Sequence, residues 1–515
     1  MIRQSNSKGN EMQPVLCMFD MIGNSVQSRD PAEETKMKKQ GKGKENTVLY
    51  SRAKSMGCLP PVTLRSDPLG AYDFWYINQA VKEKRWLEYI TSQHELHGHT
   101  FQFDMFLRSI ICTIEPTNVK AILATRFMDF GLGCRHEQFS PFLGNGIFTL
   151  DGEAWSHARG LLRPQFTREQ VADIDILAHH VTRIIESVPK DRSSFDIQPL
   201  CFSFALNSAT HFLFGESVDS LDPCLLQAST ATGIQGFEEA FDLAQDYLFA
   251  RSKALGFYWM INPKAFRDAT RTVHEVVDHY VRRAIHMRKS SVHGAERTGR
   301  YIFLEALAAE TQDPNILRDN LLNILLAGRD TTSSLLSSTF YYLARHPRVW
   351  RKLRDQVVAH FGTNLEPLAD ITQTSLKALP YLRYVLNEVL RLLPPIPINF
   401  RIAAKDTCLP VGGGPDANSP VTDIWGQDAH AFRPERWENA KHQWEYLPFN
   451  GGPRICLGQQ YALTVASYTL VRFMQHFDIL QNADPASADN PVLCANLTLS
   501  HDQGVMVRLY SSSRT

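Results

Sequence analysis

Apolar and polar positions repeat with the period of an α-helix along most of the chain from about Asp67 onward. Three stretches have a strand pattern instead: the run near Leu107–Thr113, the stretch after Pro397, and the C-terminal run Gly504–Leu509. This balance predicts a mainly α (α+β) fold, in which one helix-rich domain carries small peripheral sheets.

The longest predicted helix begins at Asp313-Pro314, where a capping residue precedes a proline at the first helical position. It continues through the leucine-rich run that includes Leu325-Leu326, and it should end before His346-Pro347. Apolar residues occupy much of its surface near the middle, which is typical of a helix at the centre of a core.

Residues 1–57 form a polar leader with a basic run between Lys36 and Lys44. A disordered, solvated segment is the prediction for this composition, and a patch that rests on anionic lipid is the alternative. Pro60-Pro61 then mark the start of the folded body, so residues 58–515 are predicted to form one domain.

Composition excludes several classes of protein. The 54 basic and 54 acidic residues balance, which argues against a nucleic-acid partner. No apolar run reaches the roughly 18–20 residues that a membrane-spanning helix needs. The nine cysteines are scattered without a CxxC pair and no secretory signal precedes them, so reduced thiols facing a cytosol are expected.

One of these cysteines, Cys456, lies in the segment Phe449–Gly458, which has the pattern FxxGxRxCxG. Its glycines permit a tight turn and close approach to a flat group, and a helix that follows directly would favour an anionic sulfur. Backbone N–H groups aimed at a thiolate tune its basicity when it binds iron. The segment therefore favours an iron-binding thiolate at Cys456 over an inert cysteine in a Gly-rich turn, and it makes Arg454 a candidate partner for a haem propionate.

This segment resembles the haem-binding loop of the cytochrome P450 monooxygenases, and further stretches match that family in order. Glu388-Val389-Leu390-Arg391 resembles the ExxR pair, and Phe432–Trp437 resembles the segment that supplies a third member, Arg436. The resemblance implies a structural network of Glu388, Arg391 and Arg436. Trp155 and Arg159, one turn apart in WxxxR, are similar to the family's propionate-binding pair. Arg401 is similar to another basic residue with which the family often binds a propionate.

Ala327–Thr332 lies inside the long helix. Glycine destabilises a helix interior, so we expect a packing or functional reason for Gly328 at this position. A flat cofactor that packs on Ala327 and Gly328 would supply that reason. In the family this pattern activates oxygen, which implies that Thr331 hydrogen-bonds the oxygen species and that Asp330 relays protons. The cofactor-binding residues implied in all are Trp155, Arg159, Ala327, Gly328, Arg401, Phe449, Arg454, Cys456 and Gly458.

Several segments, including Leu143–Gly152 and Leu161–Phe166, resemble the fungal n-alkane and fatty-acid hydroxylases most. This implies a haem b enzyme that inserts one atom of O2 at or near the end of a hydrophobic long chain. Its electrons would come from NADPH through a separate NADPH–cytochrome P450 reductase, a flavoprotein. The implied location is the cytosolic face of the endoplasmic reticulum membrane.

The chain departs from this branch in two places. A polar leader stands where relatives begin with a membrane anchor, and about twenty residues are missing near 421–422, enough for a strand and a helical turn. Two alternatives therefore stay open. One is a haem-thiolate enzyme that uses peroxide or isomerises an oxygenated lipid. The other is an inactive relic that cannot hold haem because the segment before Phe432 is shortened.

Overall fold

The computed structural model describes residues 15–20, 55, 57–64, 67, 70–105, 108–166, 174–217, 236–291, 301–412, 422–440, 442–485 and 491–511. The predicted deletion at 421–422 and most of the leader lie largely outside these ranges.

Helices make up most of the described chain. In chain order they are α1 (Ala71–Lys82), α2 (Trp86–His97), α3 (Pro116–Lys120), α4 (Arg135–Leu143), α5 (Gly152–Leu162), α6 (Asp175–Glu186), α7 (Gln198–Phe214), α8 (Phe237–Lys253), α9 (Lys264–Ser291), α10 (Phe303–Glu310), α11 (Pro314–Arg345), α12 (Pro347–Phe361), α13 (Gln373–Lys377), α14 (Pro380–Leu392), α15 (Thr422–Trp425) and α16 (Gln459–His476).

The strands are short and belong to three small sheets. They are β1 (Val15–Asp20), β2 (Val62–Leu64), β3 (Thr100–Met105), β4 (Arg108–Thr113), β5 (Phe130–Gly131), β6 (Phe195–Asp196), β7 (Ile398–Ala403), β8 (Ile479–Asn482), β9 (Leu493–Ala495), β10 (Leu499–His501) and β11 (Met506–Tyr510). The predicted mainly α fold with small sheets is confirmed, and β4, β7 and β11 are the three strands that the sequence pattern indicated.

The described residues divide into two compact units. The first consists of Met1–Gly131, Ile398–His430 and His442–Arg454, and the second of Leu132–Pro397, Ala431–Lys441 and Ile455–Thr515. The chain passes between the units several times, so they are not successive domains along the sequence.

A six-stranded sheet with the order β2-β3-β4-β1-β7-β5 forms the centre of the first unit. β1 pairs antiparallel with β4, with Cys17 opposite Cys112, and parallel with β7. The expected disorder of the leader therefore does not extend to the six residues of β1. Without β1, the facing edges of β4 and β7 would carry unpaired backbone N–H and C=O groups, and such edges favour the addition of a strand.

Cys58 and Cys408 form a disulfide in the first unit, with their Cα atoms 6.8 Å apart. The expectation that all cysteines are reduced is wrong for this pair. The two residues are 350 positions apart in sequence, so only the folded chain brings them together. Spacing patterns reveal close pairs only, which is why the sequence did not indicate this bridge.

Helix α11 is the centre of the second unit's core. It begins and ends where predicted, and the Asp313 carboxylate accepts hydrogen bonds from the Asn315 and Ile316 N–H groups, at 2.8 and 3.3 Å. Leu321 and Leu325 are completely buried in a cluster that includes side chains of α4, α7, α8, α9 and α10. Each such leucine contributes about 1.5–3 kcal/mol by leaving water, which fixes α11 as a rigid support.

Among the described helices, none combines the length and the apolar character that crossing a bilayer requires.

Candidate functional site

Cys456 lies in the second unit, just before α16, and its side chain is exposed. The backbone N–H of Gly458, the cap residue of α16, donates a hydrogen bond to the sulfur. Burial raises the pKa of the Cys456 thiol, whereas this hydrogen bond and the positive charge of Arg159 act in the opposite direction. Protein atoms surround the Cys456 sulfur, yet the residue keeps exposed surface at which a ligand could bind. A metal ion bound to the sulfur would deprotonate the thiol outright.

Arg159 approaches the cysteine loop from α5. Its Nη2 donates a hydrogen bond to the carbonyl oxygen of Ile455 at 2.8 Å, and its guanidinium lies 5.8 Å from the centre of the Trp155 ring. Partial burial lowers the pKa of Arg159, and the neighbouring Cys456 opposes that effect. Trp155 is buried and Arg159 half-buried, so the predicted WxxxR pair places one cation beside the cysteine loop.

The middle of α11 has a partly open face, with buried residues before and after it along the helix. Leu326, Ala327, Gly328 and Thr331 are only partly buried, and they interrupt a helix whose neighbouring residues are enclosed. A Cβ added at Gly328 would meet a single heavy atom within 4 Å, the Cβ of Ala209 at 3.9 Å. Helical spacing places Ala327 and Gly328 on the same face as Thr331. This face therefore has room for a flat group beside the two small residues.

Thr331 and Asp330 differ in their surroundings. The Thr331 hydroxyl donates to the carbonyl oxygen of Ala327 at 2.6 Å, and α11 continues through this turn as a regular helix. Asp330 is buried, and its Oδ1 accepts a hydrogen bond from Arg329 at 3.1 Å. Burial raises the pKa of the Asp330 carboxyl to about 6, and Arg329 lowers it. Asp330 is therefore an acid that can exchange protons near neutral pH.

The predicted network around Glu388 is present in the second unit. The Glu388 carboxylate is completely buried and accepts two hydrogen bonds from Arg391, both at 2.9 Å, and one from Arg436 at 2.8 Å. The backbone N–H of Arg433 and the indole N–H of Trp437 also donate to it, each at 2.9 Å. These donors offset the desolvation of a buried carboxylate, so the network holds α14 to the Pro434–Glu438 turn.

Phe449 and Arg454 lie in the part of the cysteine segment that belongs to the first unit. Gly452 adopts a φ of 67°, and a side chain there would overlap the carbonyl oxygen of Leu123. Glycine is thus required for this close approach of two backbones. The Arg454 guanidinium lies 6.0 Å from the centre of the Phe127 ring, and both Phe449 and Arg454 are half-buried.

Arg401 also belongs to the first unit, on β7. It is buried, and its Nη1 donates to the Asn399 side-chain oxygen and to the carbonyl oxygen of Phe400, both at 2.8 Å. These local bonds hold the guanidinium against its own strand. Its predicted role with a propionate stays a prediction.

Sequence reasoning missed several polar groups that fix this site. The sequence indicates Trp437 only as part of a motif, and it gives no role to Glu238 and Asp242, which contact Arg329. The sequence does contain one indication of these partners: Arg329 lies on the apolar helix α11, and a buried guanidinium needs anionic groups around it. The identity of those partners depends on which helix packs there.

The residues of the second unit fit a haem bound through a cysteine. Cys456 would supply the sulfur, Arg159 places a positive charge beside it, and Ala327 and Gly328 leave space on α11. Trp155, Arg159, Cys456, Gly458 and the α11 residues lie in this unit, whereas Arg401, Phe449 and Arg454 lie in the first.

The sequence matches the model of the family described as Cytochrome P450 over residues 67–410 and 421–502. Residues 411–420, between the two matched parts, include the stretch just before the predicted deletion.

Relatives from yeasts are similar over most of their length. The chain is 46% identical to Cytochrome P450 52A5 of Candida maltosa, over 80% of this chain and 82% of the relative. It is 45% identical to Cytochrome P450 52A12 of Debaryomyces hansenii, over 88% and 93% respectively. It is 43% identical to Cytochrome P450 52A6 of Candida tropicalis, over 80% and 83%.

Proposed function

The chain belongs to the cytochrome P450 family of haem-dependent monooxygenases, and we propose that its substrate is a long-chain fatty acid or n-alkane, hydroxylated at or near the terminal carbon. The observation that supports this substrate class is similarity to yeast members of the 52A group, over 80–88% of this chain and 82–93% of each relative. The segments Leu143–Gly152 and Leu161–Phe166 resemble the alkane and fatty-acid branch.

Haem, when bound, supplies the iron that activates molecular oxygen and inserts one oxygen atom into a C–H bond. In the proposal Cys456 would bind the haem iron, with the Gly458 N–H donating to the sulfur, and Phe449 of the same segment would be a further cofactor-binding residue. Trp155 and Arg159 of the second unit would bind haem propionates, as would Arg401 and Arg454 of the first unit. Ala327 and Gly328 would provide the open helix face for the flat group.

Asp330 and Thr331 handle protons in the proposed reaction. Reduction of one oxygen molecule to a hydroxyl group in the product and one water consumes two electrons and two protons. The buried Asp330 carboxyl can release and regain a proton near neutral pH, and the Thr331 hydroxyl, which donates to the Ala327 carbonyl, would be the second proton-carrying group beside it. The neighbouring positions of these groups on α11 support assigning them one proton path.

The electrons are proposed to come from NADPH through a separate flavoprotein reductase. The sequence contains no GxGxxG after a predicted strand, so no flavin or nicotinamide site is indicated within it. We place the enzyme at the cytosolic face of the endoplasmic reticulum membrane, as the resemblance implies.

The first test is the carbon monoxide difference spectrum of the reduced, haem-loaded protein, with Cys456→Ala beside it and Cys494→Ala as a matched control. We expect a strongly red-shifted Soret band in the wild type and in Cys494→Ala, and its loss in Cys456→Ala. Absence of the band from the wild type would favour the inactive relic.

The second test separates the remaining alternatives. Fatty acids and n-alkanes of graded length are supplied with reductase and NADPH in one series, and with hydrogen peroxide in another. Terminal hydroxylation that depends on the reductase supports the proposal. Turnover with peroxide but none with reductase and NADPH, or rearrangement of a lipid hydroperoxide, would assign the chain to the peroxide-using or isomerising class instead.

A further inference from the structure

Arg329, next to Asp330 on α11, is a buried cation shared among three carboxylates. Its guanidinium bonds to Glu238 Oε1 at 2.9 Å and to both carboxylate oxygens of Asp242, one of them at 3.2 Å. The third partner is Asp330, at 3.1 Å. Glu238 and Asp242 lie on α8, so this cluster connects α8 with the proton-handling turn of α11.

Exposure changes sharply across the cluster. The side chains of Glu238 and Asp242 are 47% and 52% exposed, whereas that of Arg329 is 2% exposed and that of Asp330 is 9% exposed. The rings of Phe202 and Phe241 lie 5.5 and 5.7 Å from the guanidinium. The cluster therefore runs from solvent at α8 to the buried side of α11.

The charged and polar groups that face Asp330 come from both helices. Burial raises the pKa of Asp330 most, Arg329 lowers it, Asp242 raises it, and a hydrogen bond with Gln245 of α8 lowers it. Carboxylates also raise the pKa of Arg329 above its ordinary range although burial opposes them, so Arg329 stays charged. Asp330 thus competes with two other carboxylates for one cation.

We propose that Glu238 and Asp242 are positioning residues of the oxygenation reaction: by holding Arg329, they keep it from pairing fully with Asp330 and leave the Asp330 carboxyl free to pass protons. This rests on the proposed function. In each cycle Asp330 gives a proton toward the oxygen site and regains one from solvent on the α8 side. The two carboxylates of α8 stay bonded to Arg329, so the cluster is unchanged after turnover.

The sign of the expected effects follows from the charges. In Asp242→Asn a negative charge near Asp330 is lost and Arg329 is freer to pair with it, and both changes lower the pKa of Asp330. In Arg329→Gln the stabilising cation is lost and the pKa of Asp330 rises. A neighbouring charge of this kind shifts a carboxyl by about 1–3 pH units.

The experiment measures product formed per NADPH consumed across pH, with haem-loaded enzyme and reductase, using the best substrate of the graded series. In Asp242→Asn and Glu238→Gln we expect the pH of half-maximal coupling to fall by about one unit or more. In Arg329→Gln it should rise. Asp242→Glu, which keeps the charge, should restore the wild-type profile, and Glu275→Gln, an exposed acid on α9, should not change it.

Turnover driven by hydrogen peroxide provides a second readout, because peroxide brings its own protons and electrons. We expect it to be the same in Asp242→Asn and the wild type. If Arg329→Gln gives no carbon monoxide band, the pH profiles of Glu238→Gln and Asp242→Asn, which change half-exposed acids of α8, test the proposal by themselves. Coincident pH profiles in variants that keep the band would overturn this proposal only, whereas a wild type without the band would overturn the proposed function and this inference together.

Discussion

The Nη2 of Arg159 donates a hydrogen bond of 2.8 Å to the carbonyl oxygen of Ile455, a residue 296 positions away in sequence that directly precedes Cys456. One side chain of α5 thus holds the backbone of the cysteine loop and also places a positive charge near the sulfur. A charged donor on a carbonyl contributes about 1.5–3 kcal/mol, so this contact is a substantial restraint on the loop.

Replacing Arg159 with leucine should therefore weaken haem binding by roughly tenfold or more, because the loop loses its restraint and the thiolate loses a cation. Haem content after dialysis against apomyoglobin measures this. His157→Leu, an exposed change on the same helix, is the control and should retain haem like the wild type. Equal retention in Arg159→Leu would contradict the assigned role.

Glu388→Gln should destabilise the protein by about 3–5 kcal/mol, because it leaves the buried Arg391 and Arg436 without their shared carboxylate. Chemical denaturation of the haem-loaded protein measures the loss. Lys352→Met is the matched comparison, since it breaks the half-exposed pair of Lys352 with Glu435 and should cost at most about 1 kcal/mol. Similar losses in the two variants would mean that Glu388 does not organise a buried network.

Gly452→Ala should lower both stability and haem content. A methyl group there would overlap the Leu123 carbonyl oxygen, and the backbone has a φ of 67° that alanine disfavours. Gly160→Ala tests the opposite case, because its helical site has no heavy atom within 4 Å of the added carbon, and a gain of about 0.5–1 kcal/mol is expected. Thermal unfolding compares the two, and a neutral Gly452→Ala would refute the packing argument.

Thr331→Ala should keep its carbon monoxide band yet form at least about tenfold less product per NADPH, because proton delivery by a placed hydroxyl is lost. Hydrogen peroxide released during turnover should rise correspondingly. Ser333→Ala removes a buried hydroxyl of the same helix that bonds only to backbone carbonyls in the contacts described, and its coupling should match the wild type. Unchanged coupling in Thr331→Ala would remove this residue from the proton path.

The Asp330 carboxyl should make stability depend on pH. Its pKa rises from an ordinary 3.8 to about 6 on folding, so the folded state binds more protons than the unfolded state between these values. The free energy of unfolding therefore falls as pH rises through this window, and by pH 7 the cost reaches about 3 kcal/mol.

Asp330→Asn removes this titration. Its free energy of unfolding should equal that of the wild type near pH 4 and exceed it by up to about 3 kcal/mol at pH 7. Urea denaturation at several pH values measures the difference, with Asp355→Asn, an exposed change on α12, as the control. Parallel curves for Asp330→Asn and the wild type would show that the carboxyl titrates normally.

The fold class and the limits of α11 followed from the sequence alone, and so did the choice of residues that are proposed to carry the chemistry. These features are local: a capping aspartate before a proline, a helical period, and a cysteine among glycines, each of which acts through neighbours in the chain. The Glu388 network could also be expected, because Glu388 and Arg391 share one helical face and the motif order supplied Arg436.

Which distant groups meet depends on how the chain folds in three dimensions. Arg159 finds Ile455, Cys58 finds Cys408, and Arg329 finds Glu238 and Asp242, although nothing in the local pattern of either partner indicates the other. The position of β1 between β4 and β7 is of the same kind. Periodicity tells which face of an element is buried, but the partner on that face, and with it the charge around Asp330, follows from how the helices and strands pack.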